Sequence, residues 1–146
     1  MKEKPYRIIG DLWIETPSLV KVTYGNKYVI VKCKKQSSSL KNIENGLNAF
    51  VRGGVNRPEG LYYHLFNYVK AHPNNHFKVT CILETDNVYH LLKAEQEELD
   101  RGFLNPNCLN NQTEAYIPEY DFDEKSFGWI NQNYVLNFRK WLKNRK

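Results

Sequence analysis

Cysteine is scarce in this chain of 146 residues, and its spacing excludes two common uses of the residue. The three cysteines form no CxxC pair and stand in apolar or turn contexts, where a thiol usually acts as a small hydrophobic group. The four histidines also lack the spacing of a metal-ligand pair. We therefore expect reduced thiols, as in a cytosol, and no zinc site. The residues concerned are Cys33, Cys81, Cys108, His64, His72, His76 and His90.

Long apolar runs are missing as well. No stretch approaches the roughly 18 apolar residues of a membrane helix, and residues 1–5 are followed by no apolar segment that could act as an export signal. The composition, with 41% hydrophobic and 14% aromatic residues, is nevertheless that of a globular domain. We expect one soluble domain in the cytoplasm of a host cell, without a membrane partner.

The charge is modest in sum but uneven along the chain, with 21 basic and 16 acidic residues and a net charge of +5. Two basic clusters would suit a phosphate backbone if their side chains face one way, whereas the same residues spread around a helix only keep a surface solvated. The candidate nucleic-acid contacts are Lys32, Lys34, Lys35 and Lys41 in the first cluster, and Arg139, Lys140 and Lys143 in the second.

A β-hairpin is the clearest local prediction. Residues 19–24 and 27–33 alternate with a period of two, and Gly25-Asn26 between them is a connection of the kind that closes a hairpin. Residues 77–83 predict a further strand, whose apolar density indicates a central place in the sheet. Before the hairpin, residues 6–15 could form an arm or an edge strand, which Thr16-Pro17 ends.

Helices are predicted around this sheet at about 40–52, 59–72 and 87–101, from apolar residues at helical spacing. Serines at 37–39 are expected to cap the first helix and Gly53-Gly54 to end it, and Asp86 is the expected cap of the third. The second helix is expected to turn Leu61 inward. An amphipathic helix over 134–146 carries the second basic cluster.

This order of elements, with Leu91-Leu92-Lys93-Ala94-Glu95 followed by Leu99, and with Leu109-Asn110-Asn111 behind it, resembles the GIY-YIG nuclease superfamily. The resemblance implies a small α/β (α+β) domain, with a three-stranded, mostly antiparallel sheet flanked by about three helices. It divides the chain into an N-terminal arm (1–17), the core (18–118) and a C-terminal extension (119–146) whose basic amphipathic helix packs on the core.

In that family, tyrosines on the first two strands and an arginine on the first helix serve the reaction, a glutamate holds a divalent metal, and an asparagine closes the site. The resemblance therefore makes Glu95 the candidate catalytic residue and metal ligand, and Asn110 and Asn111 the site loop. The strands instead offer Leu19-Val20-Lys21-Val22 and Val29-Ile30-Val31, with Tyr24 and Tyr28 out of phase. Lys41 stands near the place of the arginine, and Arg52 lies about three turns further along.

Simpler interpretations exist for the same residues. Glu95 belongs to an acidic run and could be a solvated helix residue. Asn110 and Asn111 could serve a turn, because asparagine tolerates left-handed backbone. We favour a degenerate, non-catalytic domain without a cofactor; the alternative is a Mg²⁺-dependent DNA endonuclease, so enzyme activity stays open.

The use of such a scaffold is suggested by composition. Seventeen asparagines and fifteen lysines indicate an AT-rich genome, as in many phages. We therefore expect a structural or accessory protein of a larger assembly, for example a phage virion or capsid, or a genome-associated protein. Protein partners are expected, and nucleic acid is the second partner class.

Overall fold

The structure is a computed structural model that describes residues 6–8, 16–112, 115 and 132–144. It confirms a small mixed α+β domain with a three-stranded antiparallel sheet. None of the described helices is long and apolar enough to cross a membrane. The elements in chain order are β1 (Ser18–Tyr24), β2 (Lys27–Cys33), α1 (Gln36–Val51), α2 (Tyr63–Ala71), β3 (Phe77–Glu84), α3 (Val88–Gly102) and α4 (Gln132–Asn144).

The predicted hairpin joins β1 and β2, with Tyr24 opposite Lys27 across a two-residue turn. Gly25 has a φ of 62°, as a type II′ turn requires at its first central position. The side chain of Asn75 also lies 3.3 Å from where a Cβ on Gly25 would stand. Both features favour glycine at this turn.

The sheet order is β2-β1-β3, so the prediction that the third strand is central is wrong. β3 is an edge strand in which Cys81 and Ile82 are exposed. A register shift against β1 leaves Ile82 as the extra residue of a bulge. Apolar density signals burial on average, but it does not specify which strand has two neighbours, because that depends on how α1 and α2 return the chain to the free side of β1.

Helices cover both faces of the sheet. On one face, Val20 and Val31 belong to a core cluster with Leu40 and Leu47 of α1 and with α2. On the other face, α3 packs through Leu91 on the strand residues Leu19 and Ile30. Phe138 of α4 is fully buried against Val88 and Leu92 of α3, so the C-terminal helix docks on α3.

The start of α1 differs from the prediction. The helix begins at Gln36, and the serines at 37–39 lie in its first turn instead of forming a capping loop. Lys35 is the N-cap residue and makes no capping hydrogen bond through its side chain. Serine costs little in a first turn, where backbone amides have no helical partner anyway.

The end of α1 follows the prediction. Gly53 has a φ of 111°, and the N–H of Gly54 donates to the carbonyl of Ala49 at 3.0 Å. The N–H of Gly53 donates to the carbonyl of Phe50 at the same distance. These two bonds form a Schellman motif, which satisfies the last carbonyls of the helix.

The other boundaries shift by a few residues. α2 begins at Tyr63, later than predicted, and leaves Leu61 outside the helix with 40% exposure, so its predicted inward position is wrong. Asn87, and not Asp86, caps α3 by accepting hydrogen bonds from the N–H groups of Tyr89 and His90. Residues 6–8 form no strand, contrary to one expectation for the arm, and residues 9–15 and 119–131 lie outside the described residues.

Candidate functional site

Glu95 lies on the buried side of α3 and is only 4% exposed. It follows Leu91 by four residues and precedes Leu99 by four, so it stands on the apolar stripe of the helix. The interpretation of Glu95 as a solvated member of an acidic run is therefore wrong. A carboxylate in this position needs a partner, because burying an unpaired charge is costly.

Lys32 of β2 supplies that partner. Its Nζ lies 2.8 Å from Oε1 of Glu95, and the two side chains are 9% and 5% exposed. Alternation along β2 places Lys32 on the same sheet face as Ile30, which α3 covers. The two charges thus form a buried ion pair between the second strand and the third helix.

Two neutral polar side chains lie near this ion pair. Burial raises the pKa of the Cys33 thiol to about 12, and Glu95 contributes a smaller upward effect. Burial also raises the pKa of the Tyr62 phenol, with smaller contributions from Cys33 and Glu95. Both groups are therefore protonated at neutral pH and supply no charge that could activate a nucleophile or bind a cation.

The tyrosines of the hairpin do not converge on Glu95. The Tyr24 hydroxyl donates to the backbone carbonyl of His72, on the sheet face that α1 and α2 cover. Tyr28 shares the face of Lys32 but stands four residues away along the strand, about 13 Å. Within residues 6–8, 16–112, 115 and 132–144, no three His, Cys, Asp or Glu side chains are grouped so that they could hold a metal ion.

Asn110 binds the outer edge of β2. Its Nδ2 donates to the Ile30 carbonyl at 3.0 Å, and its Oδ1 accepts from the Ile30 N–H at 2.8 Å. On either side of Cys108, the Tyr28 N–H donates to the Asn107 carbonyl and the Leu109 N–H donates to the Tyr28 carbonyl, both at 2.8 Å. The loop therefore continues the hydrogen bonding of the sheet beyond its edge strand.

Asn111 fixes the other side of the same loop. Its Nδ2 donates to the carbonyls of Pro58 and Gly60, at 2.8 and 2.9 Å. Among the described residues only glycines have a positive φ, so the left-handed conformation considered for Asn110 and Asn111 is wrong. Both asparagines act through their side-chain amides, which join this loop to β2 and to the segment before α2.

A pocket of about 390 Å³ opens beside this loop at the C-terminal end of α3. It does not include Glu95. Its lining residues are Leu99, Gly102, Phe103, Cys108, Asn110, Asn111 and Gln112.

The candidate nucleic-acid contacts differ in exposure and in ion pairing. The side chain of Lys32 is only 9% exposed and its charge is directed at Glu95, so its assignment as a surface contact with a phosphate backbone does not fit this geometry. Lys41 is exposed and pairs with Glu44 at 3.0 Å, Lys35 is exposed, and Lys34 is half-buried. The exposed basic side chains of α4 are Arg139, Lys140 and Lys143.

The pairing of Lys32 with Glu95 was missed from the sequence, although a signal for it exists. Lys32 follows the apolar Ile30 by two residues in β2, and Glu95 stands among the leucines of α3, so alternation and helical spacing place both charges on faces with apolar neighbours. Two opposite charges at inward positions of neighbouring elements predict an ion pair.

No model of a protein family, no curated protein and no solved structure matches the chain.

Proposed function

We propose that this chain is a non-catalytic GIY-YIG-like scaffold, acting as a structural or accessory binding protein in a larger assembly such as a phage virion or capsid. The observation that carries the proposal is the buried Lys32–Glu95 ion pair. In this pair, the Lys32 ammonium contacts the Glu95 carboxylate, to which the resemblance assigns the metal. The order of elements in the described core supports the same proposal.

The chemistry of phosphodiester hydrolysis explains why this pair supports the proposal. The reaction needs an activated water, a cation for the developing charge and a group that stabilises the leaving oxygen. A Mg²⁺ ion at Glu95 would have to displace the Lys32 ammonium, which lies 2.8 Å from the carboxylate. Aliphatic residues at the two strand motifs remove further contributions, each worth roughly 10²-fold in rate.

Exposed apolar side chains support a protein-facing role. Phe103 and Leu104, directly after α3, are 70% and 87% exposed, and Phe103 lines the pocket. On α4, Leu136 is 52% exposed beside Arg139 and Lys140. A mixed apolar and basic surface of this kind suits contacts within an assembly.

A plasmid-nicking assay separates the scaffold from the Mg²⁺-dependent endonuclease, the alternative that the inward position of Glu95 favours. The full chain, Glu95→Ala and the control Glu97→Ala, which changes an exposed neighbour, are incubated with supercoiled DNA and Mg²⁺. The scaffold proposal predicts the same background level of nicking for all three proteins. Mg²⁺-dependent nicking that disappears only in Glu95→Ala would overturn it.

A gel-shift titration in chelator tests nucleic acid as a partner. If the basic residues of α4 contact a phosphate backbone, binding weakens steeply as salt rises, because the contacts release counterions. The combined Arg139→Ala, Lys140→Ala and Lys143→Ala variant should then bind less and show a shallower salt dependence. Absent or salt-independent binding would restrict the scaffold to protein partners.

A further inference from the structure

The N-terminal segment Tyr6–Ile8 is held by side chains of α1. The Tyr6 N–H donates to Oδ1 of Asn48 at 2.8 Å, and Nδ2 of Asn48 donates back to the Tyr6 carbonyl at 3.0 Å. The Ile8 N–H donates to Oε1 of Glu44 at 2.9 Å. The helix thus recognises the backbone of the segment much as the edge of a sheet would.

The spacing of the two α1 residues explains why they can do this. Glu44 and Asn48 are four residues apart, a rise of about 6 Å along a helix. Tyr6 and Ile8 are two residues apart, about 6.6 Å in an extended chain. Because these two distances nearly match, Asn48 and Glu44 can bind the backbone of Tyr6 and of Ile8 at the same time.

The side chains of the segment add selectivity. Ile8 is 2% exposed and belongs to the main core cluster. The Tyr6 ring meets the rings of Tyr24 and Phe77 edge-on, with centroids 6.4 and 6.2 Å apart, while Arg7 is exposed. The arm site, formed by Glu44, Asn48, Tyr24 and Phe77, therefore accepts an extended peptide with an aromatic residue, any residue and an aliphatic residue.

We propose that the arm site also binds the arm of a second copy of this chain, so that two copies exchange residues 6–8. The arm of this chain fits the site, and an exchanged arm makes the same contacts in the partner copy as in its own chain. Seven residues separate Ile8 from Thr16, which gives a reach of up to about 25 Å. This inference goes beyond the scaffold role and does not depend on it.

Competition from the chain's own arm sets the conditions for exchange. A short connection gives the attached arm an effective concentration of about millimolar. Wild-type protein in dilute solution is therefore expected to be monomeric, and arms exchange only where the local concentration of copies exceeds this value.

A complementation experiment with full chains removes this competition. The acceptor carries Ile8→Ala, which weakens its arm and keeps the arm site intact. The donor carries Asn48→Ala, which removes two of the three backbone hydrogen bonds of its own site and releases its arm. Light scattering after size exclusion measures the mass of each variant and of the mixture, and circular dichroism checks that each variant is folded.

Exchange predicts that each variant alone is monomeric and that the mixture forms a species of twice the mass. Two control mixtures replace the donor by Asn45→Ala or the acceptor by Arg7→Ala. Each of these substitutions changes an exposed residue and leaves the arm contacts intact, so these mixtures should form roughly tenfold less dimer. If Ile8→Ala does not fold, Tyr6→Ala, at a half-buried position, replaces it.

A mixture of folded variants that stays monomeric at every concentration would overturn the proposal. Binding of a synthetic peptide of residues 4–10 to the acceptor, without dimer in the mixture, would overturn it as well, because the site would then serve a different partner.

Discussion

Removing Lys32 should destabilise the protein strongly. In Lys32→Met the Glu95 carboxylate stays buried, at 5% side-chain exposure, after losing an ammonium 2.8 Å away. Breaking a buried ion pair on one side costs about 3–5 kcal/mol. For a domain near 150 residues, 1 kcal/mol shifts Tm by about 2–4 °C, so we expect a decrease of roughly 6–20 °C. Urea unfolding and thermal melts followed by circular dichroism measure both quantities.

A matched lysine and a double variant show whether the loss comes from the buried charge. Lys41→Met removes an exposed lysine, 57% accessible, from a pair of the same type and should cost at most about 1 kcal/mol. Lys32→Met combined with Glu95→Met should recover most of the stability, because an apolar pair replaces both charges. A loss below about 1 kcal/mol in Lys32→Met, equal to that of Lys41→Met, would refute the interpretation of a buried pair.

Three further predictions concern the surroundings of the site. Asn110→Ala should cost about 1–3 kcal/mol and increase hydrogen exchange of the Ile30 amide, because it removes two hydrogen bonds to the edge of β2; unchanged exchange at Ile30 would contradict this. Gly102→Ala should cost about 1–3 kcal/mol, because its Cβ would lie 2.5 Å from Sγ of Cys108, and denaturant melts should show partial recovery when Cys108→Ala is added. Burial raises the folded-state pKa of the Cys33 thiol from 9.0 to about 12, so the unfolded chain releases this proton first and the free energy of unfolding falls between these pH values. In urea melts across that range, Cys33→Ala should lose less of its free energy of unfolding than the wild-type protein. An equal loss in both proteins would contradict the assignment.

Local signals predicted the hairpin and the end of α1 well. Gly25-Asn26 and Gly53-Gly54 act through the backbone conformation of the residues themselves, so their effect is encoded within a few positions. The start of α1 was less predictable, because the serines at 37–39 suit a capping loop and a first turn alike.

Non-local features escaped the prediction for a physical reason. The edge position of β3 depends on the path of the two helices before it, and the role of Asn110 depends on a strand 80 residues away in sequence. The inward positions of Lys32 and Glu95 were each encoded in local periodicity. Their contact depends on which strand α3 covers, and that is decided by the packing of the whole domain.

A Mg²⁺ titration of the full chain, followed by NMR of the Glu95 side-chain carboxyl carbon, tests the central claim most directly. If the Lys32 ammonium holds the Glu95 carboxylate, the Glu95 signal stays unchanged at millimolar Mg²⁺. A saturable shift of the Glu95 signal in the wild-type protein, without a matching shift at the exposed Glu97, would show that this carboxylate holds the metal and would contradict the account.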